Sequence, residues 1–172
     1  MMNFLQLAKD RYSVRAFRPE KVKQEDLDAI LAAGLAAPTA CNNQPQKIYV
    51  VQKPEQLQAL ASVCRCTFGA PTILVIGYDT TRDWKNKFTP GLSSGETDAA
   101  IVCTHMMLAA WEQGVGSCWV GYFKDTDISR VLGLPETVRV TALLPMGYPA
   151  EDAAPLPLHE QTRDLLDTVT FL

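Results

Sequence analysis

PTILVIGY (residues 71–78) is a continuous apolar run rich in β-branched residues. Such a run, opened by a proline and followed by a polar stretch, predicts a strand buried on both faces at the centre of a sheet. A central strand needs neighbours, and the flanking sequence supplies them. KIYVVQ (47–52) predicts a strand upstream; downstream, SCWVGYF (117–123) predicts a strand or strand edge, and VRVTALLPMGYP (138–149) a strand stopped by Pro145, Gly147 and Pro149.

Helical patterns alternate with these strands. Asn3–Lys9 predicts a short helix with Phe4, Leu5 and Ala8 on one side, and Gln24–Ala36 an amphipathic one with Leu27, Ile30, Leu31 and Gly34 in register. A third helix runs from Pro54, which suits a first helical turn, to about Ser62. Thr97 or Asp98 is expected to cap a long helix whose Ala99, Ala100, Cys103, Met106, Met107 and Ala110 cover it widely with apolar surface, ending near Gly114 in a left-handed cap. Asp127–Leu132 is a short helix before Gly133. The stretch 79–95 is polar and without period, and at about 17 residues it is long enough to be a candidate lid. No repeat or low-complexity tract interrupts the pattern, which predicts an α/β or α+β sandwich. The chain closes on TVTFL (168–172), strand-like after a linker holding Pro155 and Pro157. Such a tail predicts an arm that adds to a neighbouring subunit's sheet.

Composition limits the function classes. The 172 residues are 47% hydrophobic, 20% charged and 8% aromatic, which excludes a disordered or fibrous chain and predicts one globular domain. With a net charge of −3, no global positive field draws the protein to nucleic acid or anionic lipid, so any bound anion must be held by a local cluster. No apolar run approaches the roughly 18 residues of a membrane span. MMNFLQLAKDRYS lacks the pattern of a secretory signal, and five cysteines with no C-x-x-C pair predict free thiols in a reducing cytoplasm.

Arg11-x-Ser13-x-Arg15 is the strongest chemical signal. Two guanidinium forks and a hydroxyl within five residues can converge on one phosphate, although R-x-S-x-R also describes a solvated basic patch. Ala16 and Phe17 bury one side of the segment and favour the first reading. Asn42, Asn43 and Gln44 form a second cluster: carboxamides donate and accept at once, which suits the edge of a heterocycle, and equally suits a turn. Nucleophile elbows, phosphate loops and metal spacings are absent. Gly114-x-Gly116 follows a helix rather than a strand, and Cys103 and His105 point to different helix faces. Without acid–base or metal machinery of its own, an enzyme of this sequence needs a bound cofactor to carry the reaction.

With these segments placed, the chain resembles the nitroreductase family of FMN-dependent oxidoreductases over essentially its whole length. RYSVRAF (11–17) is similar to the family's opening R-R-S-x-R-x-[FY], and ILAAGLAAPTACNNQPQ (30–46) to its A-x-x-A-P-[ST]-x-x-N-x-Q-P-W. GETDAAIVCTHMMLAAWEQGVGSCWVG (95–121) resembles the central interface helix and the glycine-rich turn after it. LLPMGYP resembles the late strand ending in G-Y-P, and QTRDLLDTV the closing R-x-x-[LI]-x-x-[VI]. The resemblance implies a three-layer α/β/α sandwich of the α+β class with a mostly antiparallel mixed central sheet, spanning 1–172. It further implies an intertwined homodimer with exchanged C-terminal arms, FMN, and NADH or NADPH as co-substrate.

Carried over by residue, Arg11, Ser13, Arg15 and the backbone of Tyr12 would bind the phosphate end. Pro38, Thr39, Asn42 and Gln44 would line the ring, partly from the other subunit. Val120 and Gly121 would place backbone groups near its reactive edge, and Arg163 would return to the phosphate. Nitroaromatics, quinones and similar electron-poor molecules are the implied acceptors. The alternatives are a non-catalytic flavin carrier or sensor and a relative with other flavin chemistry. Tyr12 stands where a second arginine is usual, Thr39 where serine is common, and Gln46 where tryptophan follows Gln-Pro.

Overall fold

A computed structural model describes residues 3–172. The elements in chain order are α1 (Phe4–Asp10), α2 (Gln24–Leu35), β1 (Gln46–Val51), α3 (Pro54–Val63), β2 (Thr72–Asp79), α4 (Gly95–Glu112), β3 (Gly116–Ser117), α5 (Asp125–Leu132), β4 (Val138–Gly147) and α6 (Leu165–Thr168), with short 3-10 turns between some of them. The strands form one sheet in the order β1-β2-β4-β3, every pair antiparallel. A parallel bridge from Ser13 to Ser117 adds the N-terminal segment at the β3 edge and makes the sheet mixed.

Strand β2 is paired on both sides and buried on both faces, as its unbroken apolar run requires. Leu74 and Ile76 project into a core built with α2 and α4, alongside Ala142, Leu144 and Met146 of β4. Ile73 and Val75 project the other way, into a second core with Leu60 of α3, Ile128 of α5 and Leu143 of β4. Alternation along one strand thus serves two cores, and the three layers follow from it. Helix α4 lies against the sheet with Ala99, Val102, Cys103, Met106 and Ala110 all buried. Burial pushes the Cys103 thiol up to about 12, so it stays protonated and inert. All five cysteines are free, and Cys41 is the exposed one.

Several boundaries differ from the sequence reading. Helix α4 starts at Gly95, with Ser94 at the N-cap position, rather than after a cap at Thr97 or Asp98. The 79–95 stretch folds into a small hairpin closed by the Lys85–Ser93 bridge and by hydrogen bonds between Asn86 and Leu92 (2.9 Å) and between Ser94 and Trp84 (2.9 Å). Pro145 does not stop β4, which continues to Gly147. Its carbonyl accepts from Cys118 on the β3 side, so its missing N–H also faces that short strand and the long ladder with β2 loses nothing. TVTFL forms no strand in this chain; its Phe171 and Leu172, and Leu165 and Leu166 before it, are exposed. Among the described residues, no helix is long and apolar enough to cross a membrane.

The β2–β4 ladder shifts register between Ile76 and Gly77, leaving Thr141 without a partner on β2. There the Arg139 carbonyl approaches Gly77 so closely that a Cβ would collide with it. Gly77→Ala is therefore expected to destabilise the protein by about 2–3 kcal/mol, the cost of overpacking against backbone, read as a lowered urea midpoint; a loss below about 0.5 kcal/mol would contradict this geometry.

Candidate active site

Positioning begins at the sheet edge. The Val14 amide donates to the Ser117 carbonyl (3.0 Å), and the fully buried Val14 side chain packs where a Cβ on Gly116 would approach within 2.6 Å. This extended segment alternates sides, so with Val14 turned inward Arg11, Ser13 and Arg15 share the other face. They line a pocket of about 300 Å³ together with Tyr12, Leu156, Leu158 and His159. Burial raises the pKa of the neighbouring Cys118 thiol; Cys66 adds to this, and Arg15, the Ser13 side chain and Arg11 oppose it. Arg11 and Arg15 thus line one pocket.

Arg15, Tyr12 and His159 are held. One guanidinium nitrogen of Arg15 donates to the Ser13 carbonyl (3.0 Å), and its guanidinium carbon lies 5.9 Å from the centre of the Phe68 ring. The Tyr12 hydroxyl donates to the Ala153 carbonyl (3.2 Å), and its ring meets Trp111 of α4 edge-on at 5.2 Å. At the position where a second arginine is usual, Tyr12 therefore ties the pocket to the long helix. His159 approaches the Tyr12 ring at 6.2 Å and closes the pocket from the C-terminal segment.

The amide cluster lies in a separate loop between α2 and β1. Cys41, Asn42 and Gln44 all adopt left-handed backbone (φ 51°, 53° and 49°). Such non-glycine residues cost roughly 1–3 kcal/mol each and gather at functional sites. The loop is braced by its own polar groups: the Thr39 hydroxyl accepts from the Gln44 amide N–H (3.1 Å), and the Gln44 side chain donates to Asn42 Oδ1 (3.1 Å). Pro38, Asn42 and Gln44 are exposed and Thr39 half-buried. Within one chain this loop does not line the arginine pocket.

Val120 and Arg163 lie outside the arginine pocket of their own chain. Val120 offers no free backbone group, because its N–H donates to Leu143 and its carbonyl accepts from Leu143, both at 2.9 Å. Gly121 does line open surface, with Tyr78, Glu96, Lys124, Arg139 and Thr141. Arg163 is exposed in the C-terminal segment and does not line the Arg11–Ser13–Arg15 pocket of its own chain. Gln46, where tryptophan was expected, sits in β1 with its side-chain oxygen buried and without a hydrogen-bond partner, as is the Thr141 hydroxyl.

Sequence reasoning missed Phe68, His159 and Asp98. His159 reaches the pocket, and Phe68 the Arg15 guanidinium, through packing between distant segments, which no local spacing signals. Asp98 was read as a helix cap; it is 2% exposed and accepts the Ala40 N–H (3.0 Å) and the Ser94 hydroxyl (2.7 Å). Among the described residues no group of three His, Cys, Asp or Glu side chains is placed to hold a metal.

The family model described as the nitroreductase family matches residues 8–68 and 65–148, which spans the arginine segment, the amide loop, the sheet and the central helix. The chain belongs to the nitroreductase family. A nitroreductase family protein from Clostridium difficile 630 superposes with a TM-score of 0.91 at 35% identity, covering 99% of this chain and 98% of that one. An FMN reductase [NAD(P)H] from Bacillus subtilis is 30% identical over 165 residues, 86% of this chain and 66% of its own length. A Desulfovibrio desulfuricans structure solved in complex with FMN is 25% identical, with a TM-score of 0.81, covering all of this chain and 98% of that one. The nitroreductase fold is thus carried over the whole length, arginine edge included.

The strained loop makes a direct prediction. Cys41→Gly removes a Cβ from a left-handed position and is expected to raise unfolding free energy by about 0.5–1 kcal/mol, measured by denaturant titration of the ligand-free protein. A neutral or destabilising result would show that the Cys41 side chain is itself stabilising.

Proposed function

We propose that this chain is an FMN-dependent NAD(P)H oxidoreductase passing two electrons to flat, electron-poor acceptors such as quinones or nitroaromatics. The observation that carries the reading is the Arg11–Ser13–Arg15 pocket at the sheet edge of a nitroreductase fold. The donor chemistry fits the phosphate end of FMN: two guanidinium groups and a hydroxyl oppose a dianion, and Arg15 is already oriented by Phe68 and the Ser13 carbonyl. The amide loop fits a ring edge that presents carbonyls and ring nitrogens, since Asn42 and Gln44 are exposed and held relative to each other by their mutual hydrogen bond.

FMN, when bound, supplies the hydride chemistry through its isoalloxazine ring. The chain's own contribution is binding and orientation. Arg11, Ser13 and Arg15 hold the phosphate, Tyr12 anchors that segment to α4, and the Gly121 turn flanks the ring. No side chain is assigned as a proton donor. Because loop 39–44 does not reach the arginine pocket of its own chain, the complete site is read as shared between two copies. Arms containing Leu165, Leu166, Phe171 and Leu172, exposed in one chain, would be exchanged, and Arg163 would then approach a phosphate from the partner's arm. Residues 1–172 act as one domain of a cytoplasmic homodimer, in keeping with the free thiols.

The test is the visible spectrum of the purified protein with added FMN and, separately, riboflavin, followed by NADH or NADPH and then menadione. The protein is expected to take up FMN, to bleach with a reduced nicotinamide, and to recover colour with the quinone. Arg11→Ala and Arg15→Ala should each weaken FMN binding by about 10–100-fold, the worth of a charged hydrogen bond, while leaving riboflavin affinity nearly unchanged. Failure of wild-type protein to bind FMN would overturn the reading, and binding without reduction would favour a carrier or sensor.

A further inference from the structure

Asp98 is a buried carboxylate with no cation beside it. It is 2% exposed, and among the described residues no Lys, Arg or His nitrogen lies within 4.0 Å of it. Its charge sits in the first turn of the 18-residue helix α4, where the helix dipole favours an anion. What occupies its oxygens is unusual. Oδ1 accepts the Ala40 N–H at 3.0 Å, from the loop that carries Thr39, Asn42 and Gln44, while Oδ2 accepts the Ser94 hydroxyl at 2.7 Å. Ser94 in turn closes the 84–94 hairpin: its hydroxyl accepts the Trp84 N–H (3.2 Å), and its own N–H donates to the Trp84 carbonyl (2.9 Å).

One carboxylate therefore joins two excursions that have no strand or helix in common. The 39–44 loop stores backbone strain at Cys41, Asn42 and Gln44, so it needs an external restraint to keep its shape. Apart from Asp98, its hydrogen bonds run within the loop: Asn42 to Thr39, Asn43 to Ala40, and the Thr39–Gln44 and Gln44–Asn42 contacts. Among the described residues, the Ala40 bond to Asp98 is the one that leaves it for another element.

We propose that Asp98 is a positioning residue that locks the 39–44 loop to the base of the 84–94 hairpin through Ser94, so that the two segments loosen or hold together. The lock itself does not depend on a cofactor. Its functional consequence rests on the proposed function, because loop 39–44 is the segment assigned to the flavin ring. A carboxylate is suited to the task because it accepts from both sides. The amide of an Asp98→Asn side chain can still accept from Ala40 through its oxygen and donate to Ser94 Oγ through its nitrogen, whereas Asp98→Ala strands the Ala40 N–H and the Ser94 hydroxyl.

The test is residue-resolved hydrogen exchange on the full-length protein, with and without FMN, for Asp98→Ala, Asp98→Asn and Ser94→Ala. Asp98→Ala should speed exchange in both 38–45 and 83–95, by roughly tenfold or more for the loss of a buried hydrogen bond, while β1 and α3 keep their protection. Asp98→Asn should restore both segments together. Should Asp98→Ala fail to fold, Ser94→Ala carries the test alone: it should loosen the 38–45 segment as well as its own hairpin. Loosening confined to one segment, or spread uniformly over the molecule, overturns the lock. FMN affinity separates the two claims. Coupled exchange with weakened FMN binding supports both, and coupled exchange with unchanged FMN binding overturns the assignment of the loop to the flavin. Absence of FMN binding in wild-type protein overturns the proposed function while the exchange data still decide the lock.

Discussion

The site depends on how one buried valine seats a strand at the edge of the sheet. Val14 is fully buried against Gly116 and hydrogen-bonded through its amide to Ser117, which fixes the N-terminal segment in parallel register beside β3. Two-residue periodicity then determines which side chains share a face. Arg11, Ser13 and Arg15 have no choice of direction once Val14 is inward. A shift of one residue would bury the arginines and expose the valine, a change that burial energetics forbids. The arginine pocket is thus a by-product of core packing.

Much of the scaffold was legible because it is written in local pattern. The β2 run reads as a doubly buried strand since both of its faces meet helices, and Gly114 and Gly133 mark helix ends because each adopts the left-handed conformation that glycine tolerates (φ 73° and 64°). The misreadings occur where a local rule meets a tertiary exception. Pro145 reads as a strand terminator, yet its missing donor faces a strand of two residues, so nothing is lost by continuing. Thr97 or Asp98 reads as a cap, yet the helix starts at Gly95, where a Cβ would collide with the Tyr78 ring. TVTFL reads as a strand, and one chain gives it no partner to pair with.

The functional residues divide along the same line. The R-x-S-x-R spacing was legible since its period equals that of an extended chain. The amide loop was legible as polar and turn-rich, but its run of left-handed residues was not, because none of the three is glycine. Asp98 was out of reach: its partner Ala40 lies 58 positions away, and a carboxylate early in a helix is ordinary. At Val120, a position assigned by resemblance, the N–H and carbonyl both pair with Leu143, a long-range bond that no local spacing signals.

Phe68 adopts left-handed backbone (φ 53°), which places its ring beneath the Arg15 guanidinium. A free arginine side chain loses roughly 2 kcal/mol of rotamer freedom when it is immobilised. On this aromatic shelf part of that loss is met during folding. The local strain of one phenylalanine backbone thus accompanies a guanidinium held against an aromatic face.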